Sequence, residues 1–380
     1  MAKKKNQHYV PEFYLKRFSP DKEKRTIGIW NLRRRQKIIG ASLRDQCSLD
    51  YFYGKDLILE ESFEDLERLA SGLLKRIDKA GALPEPCSNS HALLLIHLAT
   101  QWARTKYMAD AVQDMEESFL NYLSELDEQE AKRFRDDIRR HLDNPVHLSI
   151  LILMEIFPLL LDLDCKILAN QTAIEFVTSD NPVVFYNQLF SFQKSQSNTG
   201  IAVKGLQIFF PIAPGKVLLF YDSTAYSVGR RNQPIVEVSD SHDVDQINLL
   251  QMANCQHNVY FRDTSIDLEP LDVRGHRFRR KAMSRLETFP IGKTENGSQE
   301  LLAMSMSDVV TNLSLSFVRI TRRTRRWRAR FQRLKSRPAL VIRNQALHDE
   351  FKKHQDKIRN LEVDSMSLFK HLCAKYHQRK

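Results

Sequence analysis

His8 stands in the string Gln7-His8-Tyr9-Val10-Pro11-Glu12-Phe13-Tyr14-Leu15-Lys16-Arg17-Phe18, a single imidazole among aromatic rings. Imidazole exchanges its proton near neutral pH, so His8 is a candidate general base or ligand, with Gln7, Tyr9 and Tyr14 as binding neighbours. The competing reading is that this segment closes a core. Pro11 biases Val10 toward extended geometry, and the aromatics beyond it can pack as an anchor. A second candidate is Ser179-Asp180-Asn181-Pro182, which follows a hydrophobic strand. Pro182 keeps Asn181 out of the helical region, so the strand should end in a turn whose short polar groups face a cleft or simply form the turn. A third is the trio His97, Gln101 and Arg104, spaced to share one face of an otherwise apolar helix. Polar groups there need partners, and the guanidinium fork suits either a phosphate or an internal ion pair with Glu155 or a similar residue.

These residues outline phosphodiester chemistry. His8 would move a proton, Arg104 would offset phosphate charge, and Asp180, beside Asn181, would orient His8 or a metal. A divalent metal stays open as a cofactor, but no motif supplies its ligands. His8, Asp180 and Glu61 could converge on one, and nothing in their spacing requires it. No Gly-rich phosphate loop, GxSxG, HExxH or Cys-His signature is present, so nucleotide-driven and serine or zinc hydrolase mechanisms gain no positive support.

The elements that must position these groups read as α+β, with a mainly helical N-terminal half, a small mixed or antiparallel sheet around residues 165–262, and a basic helical C-terminal arm. Ile27 to Leu32 and Gln36 to Ile39 flank Arg33–Arg35 as a hairpin. From Ser62, apolar residues recur at three-and-four spacing until Gly81 and Pro84. One helix is expected from Ser90 to Leu123, an exposed charged one from Asp127 to Asp143, and an apolar one from Pro145, kinked at Pro158. Strand periodicity begins at Cys165, and Lys166–Ala169 should pair with Ala173–Val177. Gln188 to Gly200 reads as a loop, Asp243 to Gln256 as a helix, Asn258 to Arg262 as the last strand, and Asp263 to Ser298 as irregular. The expected division is a body at 1–265, a linker at 266–312 and the arm at 313–380.

Charge sharpens that division. Residues 311–380 hold 19 of the 58 basic side chains and 5 of the 47 acidic ones, a surplus of 14, whereas the remainder carries a deficit of three. Such asymmetry points to a polyanion, either nucleic acid or an anionic membrane surface. Arg322, Arg323, Arg325, Arg326, Arg328 and Arg330 surround Trp327, and Phe331 follows. Arginines could neutralise phosphates while the aromatics stack on bases; a docking tail for a partner protein is the alternative. The most apolar run, His147 to Leu163, contains Glu155 and Pro158 and is shorter than the ~20 residues of a membrane span. Five scattered cysteines, an odd number without CxxC spacing, argue against a disulfide framework or a structural zinc site, and the cytoplasm is the default location.

The opening string resembles the start of the bacterial family called domain of unknown function 4238. Asp50-Tyr51-Phe52-Tyr53 with Glu60-Glu61-Ser62, then Phe176-Val177-Thr178-Ser179-Asp180-Asn181-Pro182-Val183, and Ile247-Asn248 leading to Val259-Tyr260 are similar to later segments of that family in order and spacing. The resemblance spans roughly residues 5–265. It implies no particular activity, and it marks where to look. The leading expectation is a nucleic-acid-directed protein of nuclease-like hydrolase type; the rival is a non-catalytic nucleic-acid-binding or protein-interaction adaptor.

Overall fold

The computed structural model describes residues 5–141, 144–192, 198–280, 282–294, 297–307, 309, 311–334, 341–360 and 362–376. Positions 193–197 of the expected Ser-rich loop therefore lie outside the described residues.

The chain opens with β1 (Asn6–His8), α1 (Glu12–Leu15), β2 (Thr26–Asn31), β3 (Gln36–Ser42) and β4 (Ser48–Asp50). The expected hairpin is β2–β3, antiparallel across the Arg33–Arg35 turn. Five helices follow: α2 (Ile58–Ala80), α3 (Asn89–Ala103), α4 (Lys106–Leu126), α5 (Glu128–His141) and α6 (Pro145–Ile156). Gly81 ends α2 in the left-handed conformation, with its N–H on the Ile77 carbonyl. The single helix expected from Ser90 to Leu123 is two. Thr105 breaks it, accepting the Met108 N–H as an N-cap and starting a new helix with no Gly or Pro to announce the stop. Pro158 does more than kink α6, which gives way to a 3-10 turn at Phe157–Leu160.

Next come β5 (Asp164–Asn170), β6 (Thr178–Ser179), β7 (Val184–Tyr186), β8 (Gln207–Ala213), β9 (Lys216–Tyr221), β10 (Tyr226–Val228), β11 (Ile235–Val238), α7 (Ser241–Asn254), β12 (Asn258–Phe261) and α8 (Glu269–His276). One sheet runs β11-β5-β9-β8-β7, with β11–β5 parallel and the other pairs antiparallel. A second runs β3-β2-β12-β6 and is antiparallel throughout. β5 does not pair with 173–177, because β9 and β11 take both its edges. In the second sheet Gly28 sits opposite Phe261, whose ring occupies the space a β-carbon would need. The fold is thus α+β, as the patterning implied.

The tail of the chain holds β13 (Ser284–Thr294), β14 (Gly297–Met306), β15 (Val318–Ile320), α9 (Arg322–Gln332), α10 (Gln345–Arg359) and α11 (Ser365–Tyr376). The region expected to be irregular contains α8 and the β13–β14 hairpin. The region read as a separate arm is fastened to the body. β15 pairs with β10, and Phe331 of α9 is buried beside Phe190. Leu347, Phe351, Ile358, Leu368, Phe369 and Leu372 of α10 and α11 lie in the same core cluster as Tyr14 and Leu95. Their helical spacing reflects burial against that core. Cys87, ahead of α3, is bonded to Cys373 in α11 across a sequence separation of 286, with Cα atoms 5.7 Å apart. This corrects the reading that no disulfide forms; an odd count left Cys47, Cys165 and Cys255 free and hid one distant pair. Among the described residues no helix is long and apolar enough to cross a membrane.

Candidate functional site

Gln7 is buried, and its amide closes the turn before α2: the Tyr53 N–H donates to Oε1 at 2.6 Å and Nε2 donates to the Gly54 carbonyl. The His8 carbonyl receives the Tyr53 hydroxyl and the Arg104 Nη2. Arg104 caps the end of α3, fully enclosed. Its Nε donates to the Tyr53 hydroxyl at 2.8 Å, its Nη1 meets Glu67 at 2.7 Å, and its plane lies over Phe63. The anticipated partner Glu155 instead meets Arg359. Arg104 is therefore spent inside the protein, tying the ends of three segments together.

His8 turns its ring away from that junction. Its Nδ1 lies 3.1 Å from the Gln46 carbonyl, which can only accept, so Nδ1 carries the proton and Nε2 keeps a lone pair. The ring is half-buried, and burial lowers its pKa. Gln101 donates to the Tyr9 carbonyl, leaving Oε1 buried without a partner. His97 lies between Phe13 and Phe210 with Nε2 unsatisfied, its pKa pushed down to about 3 by burial and then by Arg104.

Asp180 is placed elsewhere. Its carboxylate accepts three backbone N–H groups, from Gln256 at 2.9 Å, His257 at 2.6 Å and Asn258 at 3.0 Å, and so clasps the turn between α7 and β12. Around it lie Tyr9, Cys47, Cys255 and Tyr260; burial pushes each of their pKa values up and the Asp180 carboxylate adds to it. Thiols and phenols held protonated in this way are inert as nucleophiles. Glu61 is exposed in the first turn of α2, whereas Asp180 is buried, and His8 is hydrogen-bonded to neither. The structure thus joins His8 to Arg104 through a backbone carbonyl, and Asp180 serves a different junction.

The segment around Asp180 is held by a ladder of amides that the sequence reading did not single out beyond Asn248. Asn248, Gln251 and Asn254 recur every three residues on one face of the buried helix α7. Asn248 takes the Val177 N–H and donates to the Glu175 carbonyl. Gln251 receives the Ser179 hydroxyl at 2.9 Å and donates to the Pro182 carbonyl. Asn254 donates to the Asn181 carbonyl, and Asn181 returns a bond to the Asn254 carbonyl. Tyr14 completes the link, its hydroxyl 2.6 Å from both the Thr178 hydroxyl and the Pro211 carbonyl. The segments that resemble the family thus bond to one another: Gln7 to Tyr53, Tyr14 to Thr178, Asn248 to Val177.

That network lies within the matched stretch, since the family described as Protein of unknown function (DUF4238) covers residues 6–265. The chain belongs to this family. No match was found among curated proteins or among solved structures. What sets the DUF4238 segments together is a hydrogen-bonded interior, and the remaining polar surfaces lie outside it.

Two such surfaces are basic. Arg322, Arg323, Arg325, Arg326 and Arg330 of α9 are exposed, and among the described residues none of them has an ion-pair partner. Trp327 and Phe331 do not point at solvent; they stack on each other at 4.8 Å and meet Phe190 edge-on, while Arg328 covers Phe192. The aromatics therefore anchor the helix, which leaves the arginines outward. The second surface is a cavity of about 730 Å³ lined by Lys16, Arg17, Lys24, Lys75, Asp78 and Lys79 among others. Lys75 and Lys79, four apart on α2, were the sequence signal for it.

Proposed function

We propose that this protein is a non-catalytic nucleic-acid-binding protein whose contact element is the arginine face of α9. The observation that carries the reading is a seated helix with five exposed guanidiniums on one side, none of them ion-paired among the described residues, and a docked aromatic side on the other. Eleven residues of helix span about 17 Å, enough to meet several phosphates. Thr321 and Thr324 donate to the Thr224 carbonyl and hold the helix on the body, so little conformational freedom is lost on binding. The cavity lined by Lys24, Lys75 and Lys79 is a second, separate stretch of positive charge.

The test is fluorescence anisotropy with labelled RNA and DNA, single- and double-stranded, across a salt series. Arg322→Gln, Arg323→Gln, Arg325→Gln and Arg326→Gln combined should weaken binding and flatten the salt slope on duplex by about 3 to 4, near 0.9 per lost phosphate contact. Unchanged affinity and slope would remove the proposal. Deleting residues 311–380 is a poor substitute, because it would strip core residues from the body.

A hydrolase reading keeps one support: the half-buried His8 ring, with Nδ1 fixed as donor and Nε2 able to take a proton. Cleavage of labelled RNA or DNA by wild type, with or without a divalent metal, that disappears in His8→Ala would favour it. Equal inertness of both would end it.

A further inference from the structure

The pairing of α10 with α11 brings two imidazoles and a carboxylate together beyond the family-matched region. Glu350 and His354 are four apart on α10 and share a face. His371 comes from α11, and one ligand atom from each of the three lies within 4.8 Å of the others. The two imidazole centroids are 5.1 Å apart.

The hydrogen bonds already prepare these atoms. His354 Nδ1 lies 3.0 Å from the Glu350 carbonyl, an acceptor only, so its proton sits there and Nε2 presents a lone pair. Metal-ligating histidines are oriented by this kind of bond on the second ring nitrogen. His371 Nε2 is 3.0 Å from Glu350 Oε1, which means the two atoms that now share a proton could share a cation. Glu350 Oε2 is held by Lys375 at 2.7 Å and Lys353 at 3.4 Å, which fixes the carboxylate with Oε1 toward the histidines. The His371 side chain is 47% exposed, so the site opens to water on that side.

We propose that Glu350, His354 and His371 bind one divalent transition-metal ion of the zinc class, with solvent completing the coordination. Two nitrogen ligands and one carboxylate suit such ions, whereas magnesium and calcium prefer an all-oxygen shell. Bonds of about 2.0–2.2 Å place tetrahedral ligands about 3.3 Å apart; Glu350 Oε1 and His371 Nε2, at 3.0 Å, already stand near that spacing, and the wider separations within the 4.8 Å limit close by small side-chain shifts. His371, partly exposed at the surface, has room for that movement. Two ammonium groups beside the carboxylate oppose a cation, and this gives the site a signature: removing Lys375 tightens it. Bound metal would cross-link α10 to α11 above the core they share.

The full chain, stripped with EDTA, is titrated with Zn²⁺ against a chromogenic chelator and with Co²⁺ followed by visible absorption. Wild type and the exposed-histidine control His276→Ala should each bind one equivalent with a four- or five-coordinate cobalt spectrum. His371→Ala and His354→Ala should lose that equivalent while their metal-free melting temperatures stay near wild type, and Lys375→Gln should bind about tenfold more tightly, the scale of outer-sphere effects. Binding that survives in both histidine variants, or a cobalt spectrum with thiolate charge transfer, overturns the proposal.

Discussion

The Arg104 guanidinium donates to a phenol, a carboxylate and a peptide carbonyl and is buried among them, out of reach of a substrate. Arg104→Ala should therefore act on folding first, lowering unfolding free energy by about 3–5 kcal/mol, the range for one partner removed from a buried pair. Urea titration at neutral pH measures it, and Arg104→Lys should recover only part, since an ammonium cannot hold the fork. His97 behaves oppositely. Its folded pKa of about 3 lies below the ordinary 6.5, so the unfolded chain binds the extra proton between those values. That contribution to stability is fully present above pH 6.5 and is lost as pH falls toward 3. His97→Leu removes both the buried unsatisfied nitrogen and this proton uptake. It should be neutral or stabilising at pH 7 and should flatten the loss of stability across that window in urea titrations at stepped pH.

At the scale of the element, a helix here does the work of a neighbouring strand. The amides of α7 satisfy the backbone of residues 175–182, and Asp180 at the end of that segment gathers three N–H groups from the turn that follows α7. Asp180→Asn would turn an amide donor toward backbone donors and should cost about 1–3 kcal/mol in chemical denaturation. A loss of any activity in such a variant would then track its unfolded fraction. Much of this level was legible. The three-and-four spacing of α2, the Pro145 start of α6 and the arginine-turn hairpin follow from local patterns. What was not legible is non-local. β5 ignores the next apolar run and pairs with residues 216–221, a choice no window of a dozen residues contains. Thr105 splits α3 from α4 with a side-chain cap inside an unbroken helical pattern. Of the site residues, types and partners could be guessed, but the division between the Arg104 junction and the Asp180 clasp depends on which backbone groups lie opposite.

At the scale of the molecule, the C-terminal helices belong to the core that the N-terminal motif begins. Without reductant, alkylation after denaturation should modify three cysteines, and with it five. Cys373→Ser should destabilise the chain by about 2–4 kcal/mol, a penalty that dithiothreitol reproduces in wild type and does not deepen in the variant; thermal melts with and without reductant read this directly. Charge counting had marked residues 313–380 as separate because their polar faces are basic, and the apolar faces that seat them alternate too finely to shift a composition average.

The shared core has a bearing on how the polypeptide is made. Tyr14 and Leu95 leave the ribosome long before Phe351 and Phe369 exist, so greasy patches on the early helices stay uncovered for most of translation. Nascent chains halted before residue 345 should be held by chaperones or degraded, and release of a protease-resistant product should wait for α11.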